Sequence, residues 1–299
     1  MREMFEEVRS NKVKSYLLVV MFICIIAFLG AVLGLIFLES YAAGFIVALL
    51  VSAAYCAIAY SSGDSMVLKA TGSRPVTKRE YPHLYHAIEG LAIAAGMPKP
   101  KAYVIEDTAL NAFATGRDPK HASITVTTGL LKKLNRQELE GVIGHEMAHI
   151  RNYDTRIMVL AAVLVGVTIL ISDIMLRSLL WGRAGRRRRG GEGMAVLMII
   201  GLLLAVLAPI AARLIRLAIS RRREYAADAG SAILTRYPPG LASALKKISK
   251  DPDPLVDKAN RATAHLFIST PFRRKRGWLV GLFSTHPPIG DRIRRLKEM

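Results

Sequence analysis

Hydrophobic and polar positions divide this chain into long apolar runs and shorter amphipathic stretches. From Tyr16 to Leu38 the only polar group is the tyrosine hydroxyl, and a second run covers Tyr41 to Tyr60. About 20 apolar residues carry a helix across a bilayer, so both runs predict membrane spans. A cleaved signal peptide has a shorter apolar core and is not followed at once by a second span. Two further runs, Ile157–Ile171 and Met194–Ala212, are interrupted by Ser172 and Asp173 or contain Pro209. They predict an apolar hairpin that is membrane-spanning or partly embedded.

Between the spans and the third run the period changes. Leu84, Ile88, Leu91, Ala92 and Ala95 form a helical stripe over 80–95 that stops at Gly96 and Pro98. Three short β-prone pieces follow, Ala102–Glu106, Ala112–Thr115 and Ala122–Thr127. Asn135 with Glu138 three residues on predicts a capped helix start, and Leu139, Val142, Ile143 and Met147 give that helix an apolar face. The expected fold is mainly α with a small β-sheet: multi-pass membrane helices plus a further domain in two halves. Its expected segments are an N-terminus at 1–14, two spans at 15–61 and the first half of that domain at 62–156. The apolar hairpin follows at 157–218 and the second half at 219–299.

Composition agrees with a membrane protein. Hydrophobic residues make up 52% of the 299, mean hydropathy is +0.30, and 42 Lys and Arg against 23 Asp and Glu leave a net +19. The basic residues flank the spans and do not interleave with aromatics, which argues against a nucleic-acid partner and for an anionic lipid surface. Arg213, Arg216 and Arg221–Arg223 belong to that basic flank. Arg2, Arg9, Lys12 and Lys14 precede the first span while the Glu39–Ser40 turn has no Lys or Arg. The N-terminus and catalytic part are therefore expected on the cytoplasmic side. The arginines at 183 and 186–189 oppose this if the later hairpin spans fully: either the rule is broken there or that pair enters the bilayer only part way. Cys24 and Cys56 fall inside the spans and read as packing residues; Gly30 and Gly34 share a spacing that lets helices approach closely. His83 and His86 read as exposed helix residues.

The chemistry is carried by His145-Glu146-Met147-Ala148-His149. Residues four apart share a helix face, so the two imidazoles can meet one ion while Glu146, pointing elsewhere, can act as general base toward an activated water. With 7 His in the chain, composition alone would produce this pattern on the order of once in a hundred such chains. A catalytic zinc needs a third protein ligand, and Glu224 in Glu224-Tyr225-Ala226-Ala227-Asp228 is the candidate. His149 and Glu224 must share one side of the membrane, so the number of crossings between them is even. Asp228, one turn on, is placed to accept from a ligand imidazole. Asn152 and Asp154 are weaker candidates for the same task, and Asp154 reads more readily as a solvated helix end. If the helix ran straight from His149 into the apolar segment at Ile157, the metal would sit about 12 Å from that segment's start, at headgroup level. Asn111, Ala112, Phe113 and Ala114 form a possible edge strand that could hold an extended peptide by strand addition; an ordinary core strand with Phe113 inward reads equally well.

The stretches GHEMAHIRNYDTR, RRREYAADAGSA, LNAFATG and STHPPIGDRIRRL together resemble the HtpX family of membrane zinc metalloproteases, relatives of the CAAX prenyl endopeptidases. The resemblance covers nearly the whole chain, with four motifs in the family's order. It implies multi-pass membrane helices plus a zincin-like (gluzincin) catalytic domain, with one Zn(2+) per chain held by His145, His149 and Glu224 and with Glu146 catalytic. It also implies an endopeptidase that hydrolyses damaged or misfolded membrane proteins in quality control. It marks the Thr285-His286-Pro287-Pro288 motif, in which His286 is the candidate oxyanion donor; the alternative is a surface histidine in a proline-rich turn. The arginine run is more basic than that family's loop, and the chain has too few spans for the prenyl branch. Two other readings stay open at this point: an intramembrane zinc protease, against which the polar residues at 135–140 argue, and a non-catalytic metal-binding scaffold.

Overall fold

The computed structural model describes residues 2–185, 220–251, 263–268 and 287–299. The run expected at Met194–Ala212, the arginines at 186–189 and His286 lie outside the described residues. Helix α1 (Arg2–Phe37) is continuous through the first apolar run and begins well before it; α2 (Tyr41–Ala70) carries the second. Within them Val8–Leu35 and Tyr41–Ala70 are long and apolar enough to cross a membrane. Ser40 caps α2 by accepting from the Ala43 N–H at 3.3 Å. The two helices touch backbone to backbone: a Cβ on Gly44 would lie 2.2 Å from the Gly30 carbonyl oxygen, and one on Gly34 would lie 2.5 Å from the Gly44 Cα. Only hydrogen fits at that crossing.

The predicted stripe forms α3 (Pro82–Ala95), with proline in the first turn and Gly96 at φ 62 ending it. The β-prone pieces form β2 (Lys101–Ile105), β3 (Ala112–Gly116) and β4 (Ala122–Thr127), joined by the two-residue β1 (Arg74–Pro75), which carries no readable period. Sheet order is β1-β2-β4-β3, with β2 and β4 parallel and the two outer pairings antiparallel. β3 is thus an edge. Part of that edge is already taken, because the Ala112 carbonyl accepts from the Ile268 N–H at 2.9 Å. Phe113 meanwhile is fully buried, its ring 4.9 Å from that of Phe267.

After the short α4 (Thr128–Lys133) comes α5 (Arg136–Arg151), opened by the expected capping box: Asn135 accepts from the Glu138 N–H at 2.9 Å, and Glu138 accepts from the Asn135 N–H at 2.8 Å. Its apolar face packs into one core with Leu84 and Ile88 of α3, Val126 of β4 and the helix α8 (Pro238–Ser249). Burial of each such side chain contributes about 1.5–3 kcal/mol. α5 does not continue straight into the next apolar helix. Tyr153 stands at φ 60, and α6 (Asp154–Gly185) leaves at 82° to α5. The straight-helix placement of the metal above Ile157 is therefore wrong, because a left-handed residue turns the chain through nearly a right angle.

α7 (Arg221–Thr235) reaches α5 across small residues. Ser231 Oγ donates to the Gly141 carbonyl at 2.6 Å, and a Cβ on Gly144 would lie 2.9 Å from that hydroxyl. A close crossing there brings the start of α7, and Glu224 with it, against the two histidines. The last helix, α9 (Ile289–Lys297), lies against α8 and α7.

Candidate metal centre

His145 and His149 stand one turn apart on the same buried face of α5, their Nε2 atoms 3.2 Å from each other. From α7, Glu224 places one carboxylate oxygen 3.8 Å from His145 Nε2 and the other 3.6 Å from His149 Nε2. One donor atom from each of the three residues fits within a 4.8 Å circle of mutual distances. A four-coordinate ion with metal–ligand bonds of about 2.0–2.1 Å sets neighbouring ligands about 3.3–3.5 Å apart.

Each ring is held from behind. His145 Nδ1 is 3.0 Å from Asp228 Oδ1, and His149 Nδ1 is 2.9 Å from Asp154 Oδ2. Such contacts place the ring protons on the two Nδ1 atoms, leaving both Nε2 lone pairs aimed at each other and at a carboxylate. A metal cation bound between them relieves that arrangement, as does a proton on one ring when no metal is bound. Asp154 is 1% exposed and corrects its reading as a solvated helix end, while Asn152 caps α5 and offers its carbonyl to Asn11 at 2.9 Å. The sharp turn at Tyr153 swings Asp154 under the ring, a task for which the sequence offered it only as the weaker of two readings.

Electrostatics separates the groups. Burial, with the positive Arg292 beside it, pushes His145 down to about 4. Burial also works against charge on His149, but Asp154, Glu224 and Glu146 outweigh it and bring that ring up to about 9. Without metal, the pair holds its proton on His149. Glu146 is 1% exposed, and burial pushes its carboxyl up to about 7. Its carboxylate accepts from the Ala114 backbone N–H, whereas Oε2 is buried without a hydrogen-bond partner. That orphaned oxygen and the Nε2, Nε2, carboxylate donor set are what a catalytic metal with one open position requires, so the residues fit the ion. A structural metal would have a closed set of four ligands.

Arg292 was not singled out in the sequence. It is fully buried, donates to Asp228 through Nε at 2.9 Å and Nη2 at 2.7 Å, and has Nη1 3.5 Å from Glu224 Oε2. Burial works against this guanidinium, and Asp228 and Glu224 more than compensate, raising its pKa; Asp228, penalised by the same burial, is held low by Arg292. One signal was available: Arg292 shares a helix face with the buried Leu296, and an arginine on an apolar face points to an internal carboxylate. Among the other candidates, Asn111, Ala112 and Ala114 are buried beside the site on and before β3, with Ala114 in direct contact with Glu146. His286 lies outside the described residues.

Residues 78–299 match the model of peptidase family M48. A protease HtpX homolog of Dictyoglomus thermophilum is 48% identical over 295 residues, covering 99% of this chain and 94% of that one. A protein of the same name in Caldanaerobacter subterraneus is 46% identical over 309 residues, 100% and 98% of the two chains. One in Streptococcus agalactiae is 44% identical over 298 residues, 99% and 100%. Among solved structures, Ste24p of S. mikatae aligns at a TM-score of 0.48 and 18% identity over 97% of this chain, which spans 66% of that one.

Proposed function

We propose, for a chain that belongs to peptidase family M48 and is accordingly a membrane-associated metalloprotease, that the ion is zinc, one per chain, held by His145, His149 and Glu224. The observation that carries this reading is the convergence of those three donor groups, with the buried and partnerless Glu146 Oε2 under the influence of His149 and Glu224. Two imidazoles and one carboxylate at four-coordinate spacing suit zinc, an ion indifferent to ligand-field geometry.

When bound, zinc supplies Lewis-acid activation of water and of the peptide carbonyl. Glu146 takes the proton from the attacking water and delivers it to the leaving amine. In the metal-free site burial raises this carboxyl to about 7, and a metal beside it would favour the charged form that a general base needs. Asp228 and Asp154 keep the two rings oriented, and Arg292 balances the cluster's negative charge. β3 serves as a shelf for an extended substrate beside Glu146, with the Ala112 carbonyl shared with Ile268 until a peptide competes for it. His286 remains the candidate donor to the oxyanion.

The substrates this arrangement suits are unfolded or damaged membrane proteins, because α6, which follows the metal helix at the Tyr153 corner, packs against both N-terminal apolar helices. The positive charges ahead of the first apolar run support a cytoplasmic N-terminus and catalytic part, in a multi-pass chain with an even number of crossings between α5 and α7. Purified Glu146→Gln is the test. It should retain the metal and lose cleavage of an unfolded protein; full activity would remove Glu146 from the reaction. Cysteine placed at Gln137 should react with a water-soluble reagent, as an intramembrane motif would not.

A further inference from the structure

The second carboxylate of the site is itself held by a residue of the first membrane helix. Asn11 lies on α1 ahead of the apolar run, 3% exposed. Its side-chain amide donates to Asp154 Oδ1 at 2.7 Å and to the Asn152 carbonyl at 2.9 Å. The other oxygen of Asp154 accepts from His149 Nδ1 at 2.9 Å. A path of three side chains thus leads from the foot of a span to the inner face of the metal helix.

Two features argue that this path does more than join helices. First, apolar contact would serve α1 better at a buried position, since an amide taken out of water costs free energy unless both its polar ends are used. Asn11 donates instead to Asp154, a carboxylate that backs a histidine, and to the Asn152 carbonyl beside it. Second, Asp154 opens α6 just after the sharp corner at Tyr153, and the bonds to its two oxygens, from Asn11 and from His149, fix the plane of its carboxylate. Arg223 Nε stands 3.6 Å from the oxygen that Asn11 holds and adds an ion pair there. A carboxylate that turns would leave the His149 ring without a fixed direction for its Nε2 lone pair.

We propose that Asn11 is a positioning residue for the metal centre: by fixing the Asp154 carboxylate it aims the His149 imidazole, making the base of the first membrane helix part of the metal grip. The inference rests on His149 being a metal ligand, as argued above. It assigns a chemical task to a stretch that composition describes only as a basic lead-in to a span.

The test uses the full chain in detergent, with zinc affinity measured by competition against a chelator and the unfolding midpoint of the metal-free form measured alongside. Asn11→Ala should weaken zinc binding about tenfold, the low end of what outer partners of metal ligands command. Asn11→Asp, matched in size but facing one carboxylate with another, should weaken it at least as much, and it carries the comparison if the alanine variant does not accumulate. Ser15→Ala removes only a bond to the Asn11 backbone carbonyl and should leave zinc affinity unchanged. In an Asp154→Ala background, Asn11→Ala should add nothing. An Asn11→Ala protein with a lowered metal-free midpoint but unaltered zinc affinity would make Asn11 a packing residue and overturn the proposal. Unaltered zinc affinity in His149→Ala would instead sink the ligand assignment, so the two failures are told apart.

Discussion

Arg292 grips Asp228 with two donors of its guanidinium, at 2.7 and 2.9 Å, and Asp228 in turn backs the His145 ring at 3.0 Å. The last helix of the chain is thereby tied to the metal helix by a fully buried ion pair. Removing one member leaves the other as an uncompensated internal charge. Arg292→Ala should therefore destabilise the fold by about 3–5 kcal/mol, and Arg292→Lys should recover little, since an ammonium lacks the planar fork. Unfolding midpoints in detergent check both; the double replacement Arg292→Ala with Asp228→Ala should cost less than the two singles added.

Glu138 has a structural task of its own at the head of α5. Only 3% exposed, it accepts from the Asn135 N–H, Ser243 Oγ and Lys247 Nζ, joining the metal helix to α8. Glu138→Ala should cost about 1–3 kcal/mol through the lost cap and the unpaired donors. Burial raises its pKa, but Lys247, Ser243 and the Asn135 amide outweigh that and lower it overall. A depressed folded-state pKa means that the stabilisation is complete above the ordinary 4.5 and disappears as pH falls through the lower folded value. The stability gap between the native chain and Glu138→Ala, followed by thermal unfolding from neutral pH downward, should narrow only in that acid window.

Gly44 sits where the two N-terminal helices touch. Gly44→Leu would drive a side chain into the Gly30 carbonyl and the Gly34 backbone, which cannot yield as a flexible side chain would. The expected cost is about 1–3 kcal/mol or a reopened hairpin. Distance labels on α1 and α2 read this directly, and an unchanged separation with an unchanged midpoint would contradict the packing described.

Metal removal should loosen the join between α5 and α7, since the three donors come from both. With free metal at a hundred times its dissociation constant, binding adds about 2.7 kcal/mol to stability. A chelator should lower the unfolding midpoint accordingly, and restored zinc should recover it. His145→Ala should show no such response.

Local signals in the sequence anticipated much of this. The Asn135–Glu138 box, the apolar face of α5, the Gly96 stop and the two N-terminal runs each depend on neighbours within a few positions, and each stands where expected. The three metal-facing residues were also legible, because H-E-x-x-H is a spacing on one helix and Glu224 answers a shortage of ligands. What was not legible depends on contacts between distant segments. Asp154 looked solvated because nothing nearby reveals that Asn11 covers it, and Arg292 looked like one more basic residue because its partner Asp228 lies on another helix. The corner at Tyr153 escaped notice since a non-glycine left-handed residue leaves no mark in a hydrophobic pattern.

That corner has one more consequence. Two rods meeting at 82° cannot both follow the normal of a flat sheet: whichever stands upright, its partner runs nearly level. α6 is the apolar rod of the two and α5 the polar one. With α6 upright, the imidazoles of His145 and His149 sit side by side at equal height. A polypeptide approaching along that normal would meet both rings at a single depth.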